Sequence, residues 1–224
     1  EMLKGGYEKD VITTLYGPAG SGKTVLCLLC AINVAKDKKV VYVDSEGGFS
    51  LERLKQIASH ISQDYKKLLD NIIFLKPTSF AEQKKSFEKL KSVVNDKIGL
   101  IIVDTIAMLY RLELGKNEDI HEVNIELSRQ ISYLTEIARK KNIPILMTNQ
   151  VYADFEAKDK VNIVGGDILK YGSKCLIELQ ITPNNNRRLI LKKHRSIQPE
   201  KEFIFKIVEG GIIGTKESKG FKLF

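Results

Sequence analysis

VITTLYGPAGSGKTVLCLLCAINVA, residues Val11–Ala35, decides the fold of this 224-residue chain. Val11–Tyr16 is apolar and β-branched and reads as a buried strand, whereas Lys23–Ala35 reads as a helix whose Val25–Ala35 part is apolar all round, as in a core helix. Between them Gly17-x4-Gly22-Lys23-Thr24 matches a phosphate-binding loop in full. A glycine-rich turn from strand to helix lets backbone N–H groups converge on an anion at a helix N-terminus. The expected cradle is Gly17, Pro18, Ala19, Gly20, Ser21, Gly22, Lys23, Thr24 and Val25. Lys23 is expected on the β- and γ-phosphates and the Thr24 hydroxyl on Mg²⁺. The ligands implied are ATP and Mg²⁺. The loop by itself leaves open whether the nucleotide powers movement, powers a reaction or only switches the protein.

Outward from this stretch, strand and helix signals alternate. Val40–Asp44, Ile72–Leu75, Leu100–Asp104 and Ile143–Thr148 read as strands. Ser50–Ser59, Phe80–Val94 and a long segment with Ile120, Val123, Leu127, Ile131, Leu134 and Ala138 at steps of three and four read as helices. Val151–Val164 is polar and loop-like. Cys175–Ile181, Leu189–Lys193 and Phe203–Val208 follow as strands, the first two joined through the turn-rich Pro183-Asn184-Asn185-Asn186. The expectation is α/β: a mainly parallel sheet flanked by helices and extended by antiparallel C-terminal strands, in one domain over residues 1–224.

Two acids at strand ends fit the chemistry. Asp104 closes the apolar run Leu100–Val103, where a carboxylate reaches the metal through a bound water. Glu46 follows the second strand and is placed to activate the attacking water. Cys27 and Cys30 lie inside the helix after the loop and read as core residues rather than a redox or metal pair. Together with Cys175 they suggest no disulfide framework, which points to a reducing cytoplasm. No apolar run approaches the roughly 20 residues of a membrane span. The net charge of +8 is compatible with polyanion binding and equally with a solvated lysine-rich surface.

Four further segments resemble the RecA/RadA recombinase superfamily, in its order and over nearly the whole chain. "YVDSEGGFSLERL" (Tyr42–Leu54) resembles the segment after its second core strand. "IIVDTIAMLYR" (Ile101–Arg111) resembles its metal-site strand and the start of its first DNA-binding loop. "ILMTNQV" (Ile145–Val151) resembles the strand ending in its nucleotide-sensing glutamine, and "VGGDILKYGSKCLIEL" (Val164–Leu179) the strand entry after its second DNA-binding loop. The resemblance implies a RecA-like fold, Glu46 as catalytic glutamate, Arg53 against adenine, and Gln150 linking the γ-phosphate to the second DNA loop.

Other features depart from a strand-exchange enzyme. Sixteen residues precede Gly17, where full-length recombinases of this kind carry a helix-hairpin-helix domain and an aromatic polymerisation motif; the expectation is a chain without them. The first DNA loop, aligned within Arg111–Val123, carries Glu113, Glu118, Asp119 and Glu122 against Arg111 and Lys116, and has Asn117 and Val123 where the recombinases tend to carry arginine. The second sets Asp154, Glu156 and Asp159 against Lys158 and Lys160. Fewer cations mean weaker attraction to phosphates. Positive charge gathers instead at Arg187, Arg188, Lys192, Lys193 and Arg195, with no acid among them. Arg187, Arg188 and Lys192 are the candidate DNA-binding residues. Strand alternation puts Lys193 and Arg195 on one face, where they resemble a pair that reaches the γ-phosphate of an adjacent subunit in related ATPases.

A short, core-only archaeal branch of the superfamily fits this set of parts. The resemblance implies an ATP-binding, weakly hydrolysing DNA-repair accessory in the cytoplasm, with modest DNA affinity and no strand exchange of its own. Its implied partners are DNA, the RadA recombinase, other repair proteins such as a Holliday junction resolvase, and further copies of the chain. Two other readings stay open: a ring-forming ATPase of the KaiC or helicase type, and an ATP-switched adaptor.

Overall fold

The computed structural model describes residues 2–3, 5–116, 119–153 and 161–215. Six strands run parallel: β1 (Ile12–Tyr16), β2 (Lys39–Asp44), β3 (Ile72–Leu75), β4 (Ile98–Asp104), β5 (Ile145–Asn149) and, across the later chain, β8 (Cys175–Thr182). Antiparallel β9 (Asn186–Lys193), β10 (Glu202–Val208) and β11 (Gly211–Gly214) extend the sheet from β8, giving the order β11-β10-β9-β8-β1-β5-β4-β2-β3. The expected parallel sheet with antiparallel C-terminal strands is the one observed. Short β6 (Val151–Ala153) and β7 (Val161–Ile163) pair separately, so the segment expected as loop begins and ends as a small hairpin.

Alternation along the central strands feeds two hydrophobic layers. Val40, Tyr42, Leu100 and Ile102 pack under α1 (Lys23–Ala35), α2 (Leu51–Ile61) and α3 (Tyr65–Asp70). Val41, Val43, Ile101 and Val103 face α4 (Phe80–Val93), α5 (Met108–Leu114), α6 (Ile120–Lys141) and α7 (Gly166–Gly172). A strand covered on both sides has no polar face, which is why β4 is apolar through Val103. α6 ends on Asn142 in the left-handed conformation, φ 50°, a geometry that asparagine tolerates better than most residues.

This topology gives the molecule two unlike ends. The parallel strands finish at the phosphate loop, Glu46, Asp104 and Gln150. They begin at the opposite end, where α1, α4 and α6 terminate. Cys27 and Cys175 are buried and Cys30 is half-buried, all three with free thiols, as a core reading requires. Among the described residues, no helix is long and apolar enough to cross a membrane.

Candidate nucleotide-binding site

The loop between β1 and α1 has the backbone its glycines allow. Gly20 and Gly22 have φ of 73° and 99°, the left-handed region that favours glycine. Gly17 is fixed by crowding instead, since a Cβ there would collide with the carbonyl oxygen of Leu179 on β8. The N-terminus of α1 has no side-chain cap and no acid in its first turn. Its leading N–H groups and the positive end of its dipole therefore suit an anion, and the residues present fit a polyphosphate.

Lys23 is buried at the base of the loop. Its Nζ donates to the carbonyls of Gly17 and Pro18, both at 2.8 Å. Burial pushes the ammonium below the usual lysine range, and the charges of Glu46 and Asp104 oppose that shift. Gly20, Lys23, Thr24, Glu46, Asp104 and Gln150 all line one cleft of about 260 Å³. The residues read from the sequence as phosphate, metal and catalytic groups thus converge.

Asp104 is held rigidly. Tyr42 Oη donates to its Oδ2 at 2.7 Å and Thr148 Oγ1 to its Oδ1 at 2.5 Å. Two hydroxyl donors leave further lone pairs on the carboxylate, enough to accept hydrogen bonds from water on a bound metal. The donor set of Thr24 hydroxyl and Asp104 carboxylate fits Mg²⁺, which takes few protein ligands and completes its shell with phosphate oxygens and water. Among the described residues there is no cluster of three or more His, Cys, Asp or Glu side chains that offers a different metal site. Neither Tyr42 nor Thr148 stands out in the sequence. The available signal was a tyrosine inside a fully apolar strand, whose hydroxyl needs a buried partner.

Glu46 and Gln150 meet directly: Gln150 Nε2 donates to Glu46 Oε1 at 2.7 Å. Arg111, from α5, donates to Gln150 Oε1 at 3.2 Å. The chain Arg111–Gln150–Glu46 therefore joins the first expected DNA loop to the carboxylate expected to be catalytic through one amide. Asp44, the neighbouring acid, accepts from the backbone amides of Gly47 and Phe49 and shapes the turn after β2.

The other expected site residues have partners within the chain. Arg53 donates to the carbonyls of Val208 and Glu209 at 2.6 and 2.9 Å, beside Ile207, which lines the cleft. It fixes the β10–β11 turn that walls the site. Lys193 donates to the carbonyls of Lys170 and Ser173 at the end of α7. β9 stops at Lys193, so the alternation expected to pair Lys193 with Arg195 does not extend that far. Arg195 lies in the following loop, bonded to Glu8 and Asp10 at 2.9 Å each. Arg188 meets Gln180 and Glu202, and Lys192 pairs with Glu200 at 2.7 Å. Arg187, expected on DNA, sits on the phosphate loop: its Nε donates to the Gly20 carbonyl at 3.0 Å, and its Nη1 is held by Asn185. Within the first DNA loop, residues 111–114 are helical, and residues 117–118 lie outside the described residues. So do residues 154–160, which carry all the charges assigned to the second loop.

The Rad51 family model matches residues 1–215. A DNA repair and recombination protein RadB of Methanobrevibacter smithii is 43% identical over 219 residues, covering 95% of this chain and 91% of its own. The RadB protein of Methanocaldococcus jannaschii is 41% identical over 214 residues, covering 95% and 97%. A crystal structure of the RadB recombinase superposes with a TM-score of 0.83 at 37% identity, covering 94% of this chain and 93% of that one.

Proposed function

The chain belongs to the Rad51 family and to its archaeal RadB branch, and we propose that it is a nucleotide-dependent protein of DNA repair and recombination that binds ATP with Mg²⁺ and hydrolyses it slowly. One observation carries this reading: Lys23, Thr24, Asp104, Glu46 and Gln150 line a single cleft at the uncapped N-terminus of α1.

The residues divide the work. The loop amides and Lys23 take the phosphates. Thr24, and Asp104 through a bound water, would hold the metal, which would supply neutralisation of phosphate charge. Glu46 accepts the proton of the attacking water, and Gln150, bonded to it, senses the same oxygen atoms. Slow turnover fits a carboxylate oxygen already occupied by the Gln150 amide, a contact that the attacking water has to displace or share. DNA and other repair proteins are the partners of the family role.

Lys23→Ala tests the site. The lysine serves carbonyls of its own loop rather than the core, so the variant should fold and lose most of its ATP affinity. Titration with a fluorescent ATP analogue and a thermal melt read the two outcomes. Unchanged affinity sinks the assignment.

A further inference from the structure

The fold decides where the chain's net charge of +8 resides. The densest cationic run in the sequence, Arg187–Arg195, is largely neutralised by acids from elsewhere: Glu202 meets Arg188, Glu200 meets Lys192, and Glu8 and Asp10 meet Arg195. The opposite happens to lysines that are dispersed in the sequence. Lys36 and Lys38 lie on the connection from α1 to β2 and Lys39 opens β2, Lys97 stands before β4, and Lys140 and Lys141 at the end of α6 before β5, all exposed.

β2, β4 and β5 are adjacent and parallel, with Val41, Ile101 and Ile145 in register across them. Lys38, Lys97 and Lys141 stand a few residues upstream of these three positions, at one level of the molecule. The Lys39 amide donates to the Lys97 carbonyl at 2.8 Å. The result is a lysine ledge at the end of the sheet opposite the nucleotide cleft. Only Asp37 and Asp96 interrupt it on these connections. Lys140 is paired with Glu136 at 2.6 Å. Among the described residues, no carboxylate lies within ion-pair distance of Lys38, Lys39, Lys97 or Lys141. Cations beside helix C-termini are favourable in themselves. That accounts for a charge at each helix end but not for four unpaired ammonium groups on adjoining connections.

We propose that this ledge binds the phosphate backbone of duplex nucleic acid, independently of base sequence and away from the nucleotide cleft. Lysines are point charges that neutralise phosphates without the planar fork that reads a base edge. Single strands are usually held by stacking on exposed aromatic rings. The exposed Tyr152 and Tyr171 stand on β6 and α7, and none of the three ledge connections carries an aromatic residue. This inference rests on the DNA-repair reading above, not on the nucleotide site.

The test is the anisotropy of a labelled mixed-sequence duplex titrated with the full chain across a salt series. The comparison is with a variant carrying Lys38→Gln, Lys39→Gln, Lys97→Gln and Lys141→Gln. The variant should bind at least about tenfold more weakly near physiological salt, and the log–log salt slope should fall by about 3 to 4, roughly 0.9 for each phosphate that is no longer neutralised. A companion with arginine at the same four positions should keep both affinity and slope, and both variants should bind a fluorescent ATP analogue as the parent does. If the parent binds duplex and the glutamine variant binds it equally, the ledge assignment is overturned and the DNA-repair reading stands. If the parent binds no duplex, both fall. If poly-glutamate of matched charge competes as well as duplex, the ledge docks acidic polypeptide and the proposal fails.

Discussion

Glu46 is the side chain on which hydrolysis should depend. Glu46→Gln keeps its shape and removes the base, so ATP should still bind while turnover falls by roughly 10²-fold or more. Phosphate release under single-turnover conditions, read beside nucleotide affinity, separates the two effects. Undiminished turnover would assign the base elsewhere, although Asp44 is already committed to the amides of Gly47 and Phe49. That Lys23, Thr24, Asp104, Glu46 and Gln150 share one cleft was legible in the sequence: the first two from the loop motif, Asp104 and Glu46 from their places at strand ends, and Gln150 from the family resemblance. Their supporting partners were not. Tyr42 meets Asp104 from 62 positions away, Arg111 meets Gln150 from 39, and Arg187 meets Gly20 from 167. No local pattern encodes such pairings; only the sheet order creates them.

The β8–β9 hairpin shows the same limit at the scale of elements. Its turn was readable from Pro183-Asn184-Asn185-Asn186, and Asn184 and Asn185 do adopt positive φ, 61° and 57°. Its destination was not readable: the tip stands beside the phosphate loop, where Arg187 grips the Gly20 carbonyl. A cationic donor on that carbonyl fixes the orientation of the Gly20–Ser21 peptide before any anion arrives. Arg187→Ala should therefore raise the Kd for ATP by about 5- to 30-fold, from a charged hydrogen bond contributing on the order of 1–2 kcal/mol, and leave the melting temperature nearly unchanged. Arg188→Ala, whose partners Gln180 and Glu202 lie off the loop, should leave Kd unmoved. Calorimetric titration of both variants decides it, and equal effects would refute a specific role for Arg187. Of the elements, α1 and β3 match the reading to the residue. α3, α5, α7 and β11 escaped it because segments of 4 to 7 residues are too short to display a period.

For the molecule as a whole, the buried protons set an alkaline limit. Burial pushes the Cys30 and Cys175 thiols up to about 12 and raises the Tyr7 and Tyr42 hydroxyls as well. The unfolded chain releases these protons from about pH 9 upward while the folded chain keeps them. The native state then binds more protons than the unfolded one, so stability falls as pH rises from about 9 toward 12 and is flat with respect to these groups below. Urea midpoints from pH 8 to pH 11 measure this, and a midpoint constant to pH 11 contradicts it. Another consequence follows from the parallel sheet with helices returning beside it. Glu46, Asp104, Asp119 and Glu122 gather near one end of the strands and the unpaired lysines at the other. A body charged in this way experiences a torque in the field of a polyanion and turns before it touches. Copies settling on one duplex would share a single polarity, lysines inward and clefts outward, and every catalytic mouth would remain accessible to a second protein approaching from solution.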